Sequence, residues 1–348
     1  MPAPDVLTDI PGVPGRFWGD HTTFVGPYRP PAWLVKSVGD CCARNLTGAV
    51  AALRLFARRR RCQGVVTDGG PTGQFFAGLQ ALCPWGRKPH VMIDCLWERS
   101  PSPFVHWLKK LRVWSAARSV DRFVVWAGHE VEDFAQAFDL PREKFQYVPF
   151  HTTLHDCDYD VRDGGYIFAG GNSDRDYRTL VEAVRPLGAP TWIATTRSDL
   201  LSGVLIPDHV RVEGTTPENF RAAMAAARVV VVAMRKGTLR SGGQQTCLNA
   251  MLLGKPTIAV GRRWAVDFID DGVNGLIVDY EDPEGMRNAL RRLLEDPAAA
   301  RRMGERARAR AGEFTTPRCM ETIYNLVKQS GGAQGGRSAG IAASRAAA

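Results

Sequence analysis

Short apolar runs alternate with amphipathic stretches along most of this chain, and they do so in two successive series. A short run rich in β-branched and aromatic residues, bounded by Gly, Pro, Asn or Asp, reads as a buried strand. An apolar stripe recurring every three to four residues reads as a helix. Strands that alternate with helices lie parallel, because each helical crossover returns the chain to its starting edge. The first series has strands at 64–67, 90–94, 122–126 and 145–148, with helices at 45–60, 74–82, 103–118 and 129–138. The second has strands at 166–169, 191–194, 210–212, 229–232 and 256–260, with helices at 177–184 and 217–227 and a third from about 244. Helices at 283–295, 297–311 and 317–328 follow. Residues 149–164 carry Pro149, several aspartates and Gly164 with no apolar period, and read as a hinge. Residues 1–30 read as an irregular arm, and the Gly/Ala/Ser-rich stretch 330–348 as a disordered tail. The expected fold is α/β, with domains at 1–150 and 165–316 and a further helix at 317–329.

Composition narrows the function classes. At 348 residues each domain can bury its own core. No run approaches the roughly 18 apolar residues of a membrane span. The start, Met-Pro-Ala-Pro-Asp, has neither a basic n-region nor an apolar h-region, so a cytoplasmic protein is expected. The eight cysteines form no CxxC pair, and reduced thiols packed as small apolar groups are expected. The net charge of +9 suits anionic partners, among them nucleoside diphosphates and anionic lipid surfaces. No nucleic-acid-binding motif accompanies it.

The segment 241–260, Ser-Gly-Gly-Gln-Gln-Thr-Cys-Leu-Asn-Ala-Met-Leu-Leu-Gly-Lys-Pro-Thr-Ile-Ala-Val, carries the strongest chemical signal. Gly242 and Gly243 allow a sharp turn and close approach of a ligand. Gln244, Gln245 and Thr246 then put donors and free backbone N–H groups at a helix start, where anions are favoured. Cys247, Leu248, Met251 and Leu252 form the buried stripe of that helix, and Gly254 ends it. A loop of this kind in an α/β domain is a natural seat for a diphosphate.

The same residues resemble retaining GT-B glycosyltransferases of the family-four (glycosyl transferases group 1) type. The family's signature helix reads loosely Glu-Ala-Met-Ala-x-Gly-x-Pro-Val-Ile. Here it stands as Asn249-Ala-Met-Leu-Leu-Gly-Lys-Pro-Thr-Ile258, followed by Asp267-Phe-Ile-Asp-Asp-Gly-Val-Asn-Gly-Leu-Ile-Val278. The resemblance covers 165 to about 328 well and the N-terminal half only in outline. It implies two Rossmann-like domains facing across a cleft, a C-terminal helix crossing back, a nucleotide-sugar donor, transfer with retention and no metal. No cofactor beyond the donor substrate is implied. The family typically has two glutamates at the positions of Ser241 and Asn249. Asn249 can still hydrogen-bond a ribose, whereas Ser241 cannot supply a carboxylate's charge. The resemblance also implies donor-binding roles for Gly170, Gly171 and Arg175 after the strand 166–169, and for Gly214 beside the base. Arg240, with Arg235 and Lys236, is a secondary candidate for phosphate. The alternative for Arg175 is a solvated side chain on a surface turn.

In the first domain Asp68, Asp94 and His129 stand at the C-terminal ends of expected strands, where open parallel sheets bind ligands. They are candidates for orienting the acceptor hydroxyl, against a reading as turn aspartates and a packed histidine. Asp267, Asp270 and Asp271 beside Gly272 read as a turn. Asp156 and Asp158 look superficially like a metal motif and read as linker. The helix at 103–118 puts Phe104, Trp107, Leu108, Leu111 and Trp114 on one face, with Lys109, Lys110 and Arg112 off it. That pattern fits either a core-packed helix or peripheral contact with an anionic membrane. The expected activity is therefore transfer of a sugar from a nucleoside-diphosphate sugar, UDP- or GDP-linked, to a glycan, lipid-linked or small-molecule acceptor. The competing readings are a non-catalytic nucleotide-sugar-binding protein and a nucleotide-sugar epimerase.

Overall fold

The computed structural model describes residues 5–12, 16–27, 30–95, 97–154 and 159–346, with side chains described except at 32–38 and 332–346. The chain forms two compact units, one from Met1–Val148 with Thr316–Ala348 and one from Pro149–Thr315.

In the first unit the chain runs through β1 (Val6–Thr8), α1 (Arg16–His21), β2 (Thr22–Phe24), α2 (Ala32–Arg58) and β3 (Gly64–Asp68). Then come α3 (Pro71–Leu82), β4 (His90–Ile93), α4 (Pro103–Ala117), β5 (Arg122–Val125), α5 (Glu130–Phe138) and β6 (Phe145–Tyr147). All pairs are parallel, in the order β2-β1-β3-β4-β5-β6. The expected irregular arm is thus corrected: residues 6–8 and 22–24 are strands, with Leu7 opposite Thr23 on one side and Val65 on the other. Both are three-residue strands, too short to show a period-two pattern in sequence. Leu7, Val65, Leu55 and Phe76 pack together in the core beneath. His90 is fully buried, meets Thr67 Oγ1 at 2.8 Å through Nε2, and burial pushes its pKa down to about 3, so it stays neutral.

The second unit begins with β7 (Ile167–Gly170), α6 (Tyr177–Val184), β8 (Thr191–Ala194), β9 (Val210–Glu213), α7 (Pro217–Ala225) and β10 (Val229–Val232). It continues with α8 (Gln244–Leu252), β11 (Thr257–Val260), α9 (Arg262–Ala265), β12 (Leu276–Val278), α10 (Pro283–Glu295) and α11 (Pro297–Ala311). Its parallel sheet has the order β12-β11-β10-β7-β8-β9. Strand β10 is Val-Val-Val-Val and buried throughout, as a central parallel strand covered on both faces must be. The last helix, α12 (Thr316–Ala346), returns to the first unit, where Val327 lies against Gly64. It continues as helix through 330–346, where the composition alone gives a tail.

Both orders reverse direction once. In the second unit the chain first builds β7, β8 and β9 outward, then starts again on the other side of β7 with β10. In the first unit the reversal falls between β1 and β3. At such a point the loops leaving two neighbouring strands diverge to opposite faces and leave a crevice at the C-terminal strand ends. Sheet order therefore singles out one place in each unit before any side chain is considered.

Candidate active site

In the second unit the crevice lies between the loop after β7 and the loop between β10 and α8. Gly170 ends β7, and Gly171 follows at φ +122°, where a Cβ would fall 2.7 Å from the guanidinium of Arg175. Arg175 is not the solvated turn residue of the alternative reading: it is only 7% exposed. Its Nε donates to the Gly170 carbonyl at 3.0 Å, and one Nη to the Ser173 carbonyl at 2.9 Å and to Met234 Sδ at 2.7 Å. The other Nη faces Thr246 Oγ1 at 3.5 Å. The charge is thus held inside the loop, directly below the start of α8. Its nearest carboxylate, Asp174, instead pairs with Arg240 at 3.1 Å and Arg235 at 3.5 Å. Burial in these apolar surroundings pulls the Arg175 pKa down. Burying an ion without an ion pair of its own costs on the order of several kcal/mol. Three arginines around one aspartate, beside a helix N-terminus, make the crevice electropositive.

Gly243 caps α8 at φ +83°, packed so closely on Val232 and Met234 that a Cβ would come within 2.6 Å of the valine. The first bond inside the helix runs from Cys247 N–H to the Gly243 carbonyl at 2.9 Å, and no side chain caps the N-terminus. The N–H groups of Gln244, Gln245 and Thr246 therefore form the helix start, preceded by Ser241 and Gly242. Gln244 is buried, and its Nε2 has no hydrogen-bond partner among the described residues. Gln245 Nε2 donates to Thr153 Oγ1 at 2.8 Å. Asn249 is buried with both amide atoms on Thr153: Oδ1 accepts from its backbone N–H at 2.8 Å, and Nδ2 donates to its Oγ1 at 2.9 Å. Thr153 carries no sequence signal for this role; only the fold brings it to α8. Gly214 follows β9 and lies against Thr196. Asn172 Oδ1 accepts from Thr195 Oγ1 and Thr196 N–H, joining the loops after β7 and β8. Asp270 and Asp271 form the expected turn: Asp271 accepts from Ile277 N–H and pairs with Arg262, and Asn274 Oδ1 accepts from Asp270 N–H. Asp156 and Asp158 lie outside the described residues.

In the first unit the strand ends bring together Asp68 and Asp94, and add Asp9, which sequence reasoning missed. Asp9 follows β1, a strand invisible in the sequence pattern, and so looked like part of a loop. Its Oδ1 accepts from Asp68 N–H at 3.0 Å, and Asp68 Oδ1 accepts from Gly70 N–H at 3.0 Å. Burial first, and then the Asp68 charge, push the Asp9 pKa up to about 7. Asp94 has φ +50° and accepts from Trp126 Nε1 at 2.7 Å. His129 precedes α5 and lies 3.9 Å from Asp133. The neighbouring Glu130 accepts from the backbone N–H groups of Trp126 and Ala127. Asp9, holding its proton up to about pH 7, can donate there as well as accept.

Among the described residues no three His, Cys, Asp or Glu side chains are placed to hold a metal ion. No helix of the described residues is long and apolar enough to cross a membrane.

Residues 175–296, the span from Arg175 through α10, match the glycosyl transferases group 1 family. The matched span lies within the second unit. No curated protein sequence matches the chain. Among solved structures, Anabaena HepE in complex with UDP is similar at 14% identity and a TM-score of 0.66, covering 94% of this chain and all of that one. Sucrose-phosphate synthase from Thermosynechococcus elongatus is 17% identical with a TM-score of 0.61, over 88% of this chain and 82% of its own. The catalytic domain of starch synthase IV from Arabidopsis thaliana, bound to ADP and acarbose, is 12% identical with a TM-score of 0.62, over 83% and 77%. The two parallel six-stranded sheets are those of the GT-B fold.

Proposed function

We propose that the protein transfers a sugar from a nucleoside-diphosphate sugar to a hydroxyl acceptor, with the diphosphate seated on the N-terminus of α8. One observation carries this reading: the Arg175 charge is buried beneath the Gly242–Thr246 loop with no ion pair of its own among the described residues, its neighbour Asp174 being shared with Arg235 and Arg240. A diphosphate above the loop supplies the missing counter-charge. It also takes up the negative charge that develops as the glycosidic bond breaks. The N–H groups of Gln244, Gln245 and Thr246 and the Nε2 of Gln244 are the remaining donors. Gly170, Gly171 and Gly242 let the phosphates approach the backbone, Gly214 and its neighbours hold the base, and Arg240 adds long-range charge. Asn249 acts on the donor through Thr153, fixing the segment beside the helix start.

HepE is solved with UDP and with UDP-glucose, which supports a uridine nucleotide as donor. Asp68, Asp94 and His129, with Asp9, orient the acceptor hydroxyl. The leaving phosphate accepts its proton on the face from which it departs, giving retention without a metal.

Calorimetry with UDP, followed by a panel of nucleotide sugars assayed for release of nucleoside diphosphate, tests the proposal. Micromolar to millimolar UDP affinity and turnover of at least one sugar are expected. Binding without turnover of any sugar selects the non-catalytic reading, and no binding of any nucleoside diphosphate refutes the site.

A further inference from the structure

Helix α4 is amphipathic in the unexpected sense. The core-packed alternative requires Phe104, Trp107, Leu108 and Leu111 to be buried. Instead Val113, Ala116 and Ala117 face the core, and Phe104 and Trp107 are 66% and 51% exposed. Phe104 and Trp107 stack on each other, with ring centroids 6.0 Å apart. Neighbouring elements extend the apolar surface: Phe75 and Leu82 of α3, the latter 84% exposed, and Leu46 and Leu53 of α2. Between α3 and α4 runs a groove of about 470 Å³ lined by Phe75, Leu79 and Leu82 with Asn45, Arg112 and Ser115. Water-exposed apolar surface costs about 25 cal/mol per Å², so a face of this breadth is retained at a cost unless something covers it.

Charge identifies the cover. Between Cys41 and Val120 the chain has 13 Lys and Arg against 3 Asp and Glu. A second copy would set this excess against itself. Lys109 and Lys110, the cations that the sequence pattern offers first, are engaged within the unit. Lys109 donates to the Glu98 carbonyl at 3.0 Å, and Lys110 pairs with Asp139. Arg112 is different: exposed, on the groove, and with no ion pair among the described residues. Tryptophan and phenylalanine with arginine at their margin match the interface of an anionic bilayer, where rings sit among headgroups and guanidinium meets lipid phosphate.

We infer that the exposed face of α2, α3 and α4 docks on an anionic phospholipid bilayer, with Phe104 and Trp107 inserted and Arg112 on lipid phosphate at the α3–α4 groove. The inference stands apart from the transfer activity, because none of these residues belongs to the donor or acceptor sites.

The test is sedimentation of the full chain with phosphatidylcholine vesicles and with equimolar phosphatidylcholine–phosphatidylglycerol vesicles, alongside UDP calorimetry of every variant. Binding to the anionic vesicles only, weakened by salt, is expected. Arg112→Glu replaces an attractive by a repulsive charge and weakens binding by more than about tenfold, whereas Arg112→Lys keeps it. Phe104→Ser/Trp107→Ser abolishes binding with UDP affinity unchanged, since both side chains are exposed. Equal binding to neutral vesicles, or no binding, overturns the inference. So does indifference to the Arg112 and Phe104/Trp107 variants. A dimer that Trp107→Ser dissociates assigns the face to a second copy instead. Failure of UDP binding in the wild type would strike the donor site and leave this result untouched.

Discussion

The Asp9–Asp68 pair gives the sharpest quantitative expectation. In the folded protein the Asp9 carboxyl keeps its proton up to about pH 7, against 3.8 for a free side chain. Below about pH 4 both states hold the proton and nothing is lost. Between about 4 and 7 the unfolded chain is ionised while the folded chain still binds the proton, so stability of the first unit falls as pH rises. Above 7 the full penalty applies, and at 1.36 kcal/mol per unit its ceiling is about 4 kcal/mol. The substitution Asp9→Asn removes the penalty and little else. Its Oδ1 still accepts from Asp68 N–H, and its amide replaces the shared proton as a donor toward the Asp68 carboxylate. Variant and wild type should therefore coincide below about pH 3.5, with the variant gaining about 2–4 kcal/mol at pH 8. Hydrogen exchange of peptides covering β1 and β3 under graded urea reads the first unit alone. A difference between variant and wild type that does not change with pH would refute a shared, burial-raised proton.

Further expectations concern the second unit. Arg175→Met strands the Gly170 and Ser173 carbonyls and removes the charge below α8. It should weaken UDP more than uridine, read by calorimetry. Equal losses for the two ligands would take Arg175 out of the phosphate role. Asn249→Ala breaks two hydrogen bonds to Thr153 and should cost about 1–3 kcal/mol while raising the donor KM more than it lowers kcat. Gly243→Ala forces a side chain into a left-handed position against Val232 and should abolish donor turnover while the protein still folds; unchanged turnover would contradict the close packing. Sugar transfer should persist in EDTA, and loss that Mg²⁺ or Mn²⁺ restores would reveal a metal requirement.

The strand–helix alternation was readable because the central strands are long enough to form apolar runs and the helices carry stripes. Strands β7, β8, β10 and β11 and helices α6, α8, α10 and α11 lie where the pattern put them, to within a residue or two. Three-residue strands have no such statistics. Missing β1 meant missing the reversal between β1 and β3, and with it Asp9. Strand β12 was likewise seen only as part of a motif, since Leu276-Ile-Val278 is too short to declare itself. Helix α4 failed differently: its amphipathicity was legible, but periodicity tells which residues share a face and not which face meets the core. Small residues, Ala116 and Ala117, allow the close packing on the inner side, and the large apolar ones are left outside.

The donor loop shows the same division between local and non-local information. Gly242 to Thr246 announced a turn entering a helix, and backbone sterics make that inference local. What lies under the loop is not local: Arg175 reaches Thr246 across 71 positions of sequence, and Asn249 reaches Thr153 across 96. Sequence reading assigned Arg175 to grip the donor diphosphate with its guanidinium fork. With three of its contacts on Gly170, Ser173 and Met234, the guanidinium is held as a fixed charge beside Thr246 at the start of α8. A charge held this way needs no reorganisation when a diphosphate leaves, which is how preorganised sites lower a barrier. The position of Asp174 supports that division of labour. By pairing with Arg235 and Arg240 rather than with its own neighbour in sequence, it balances the Arg175 charge only in part.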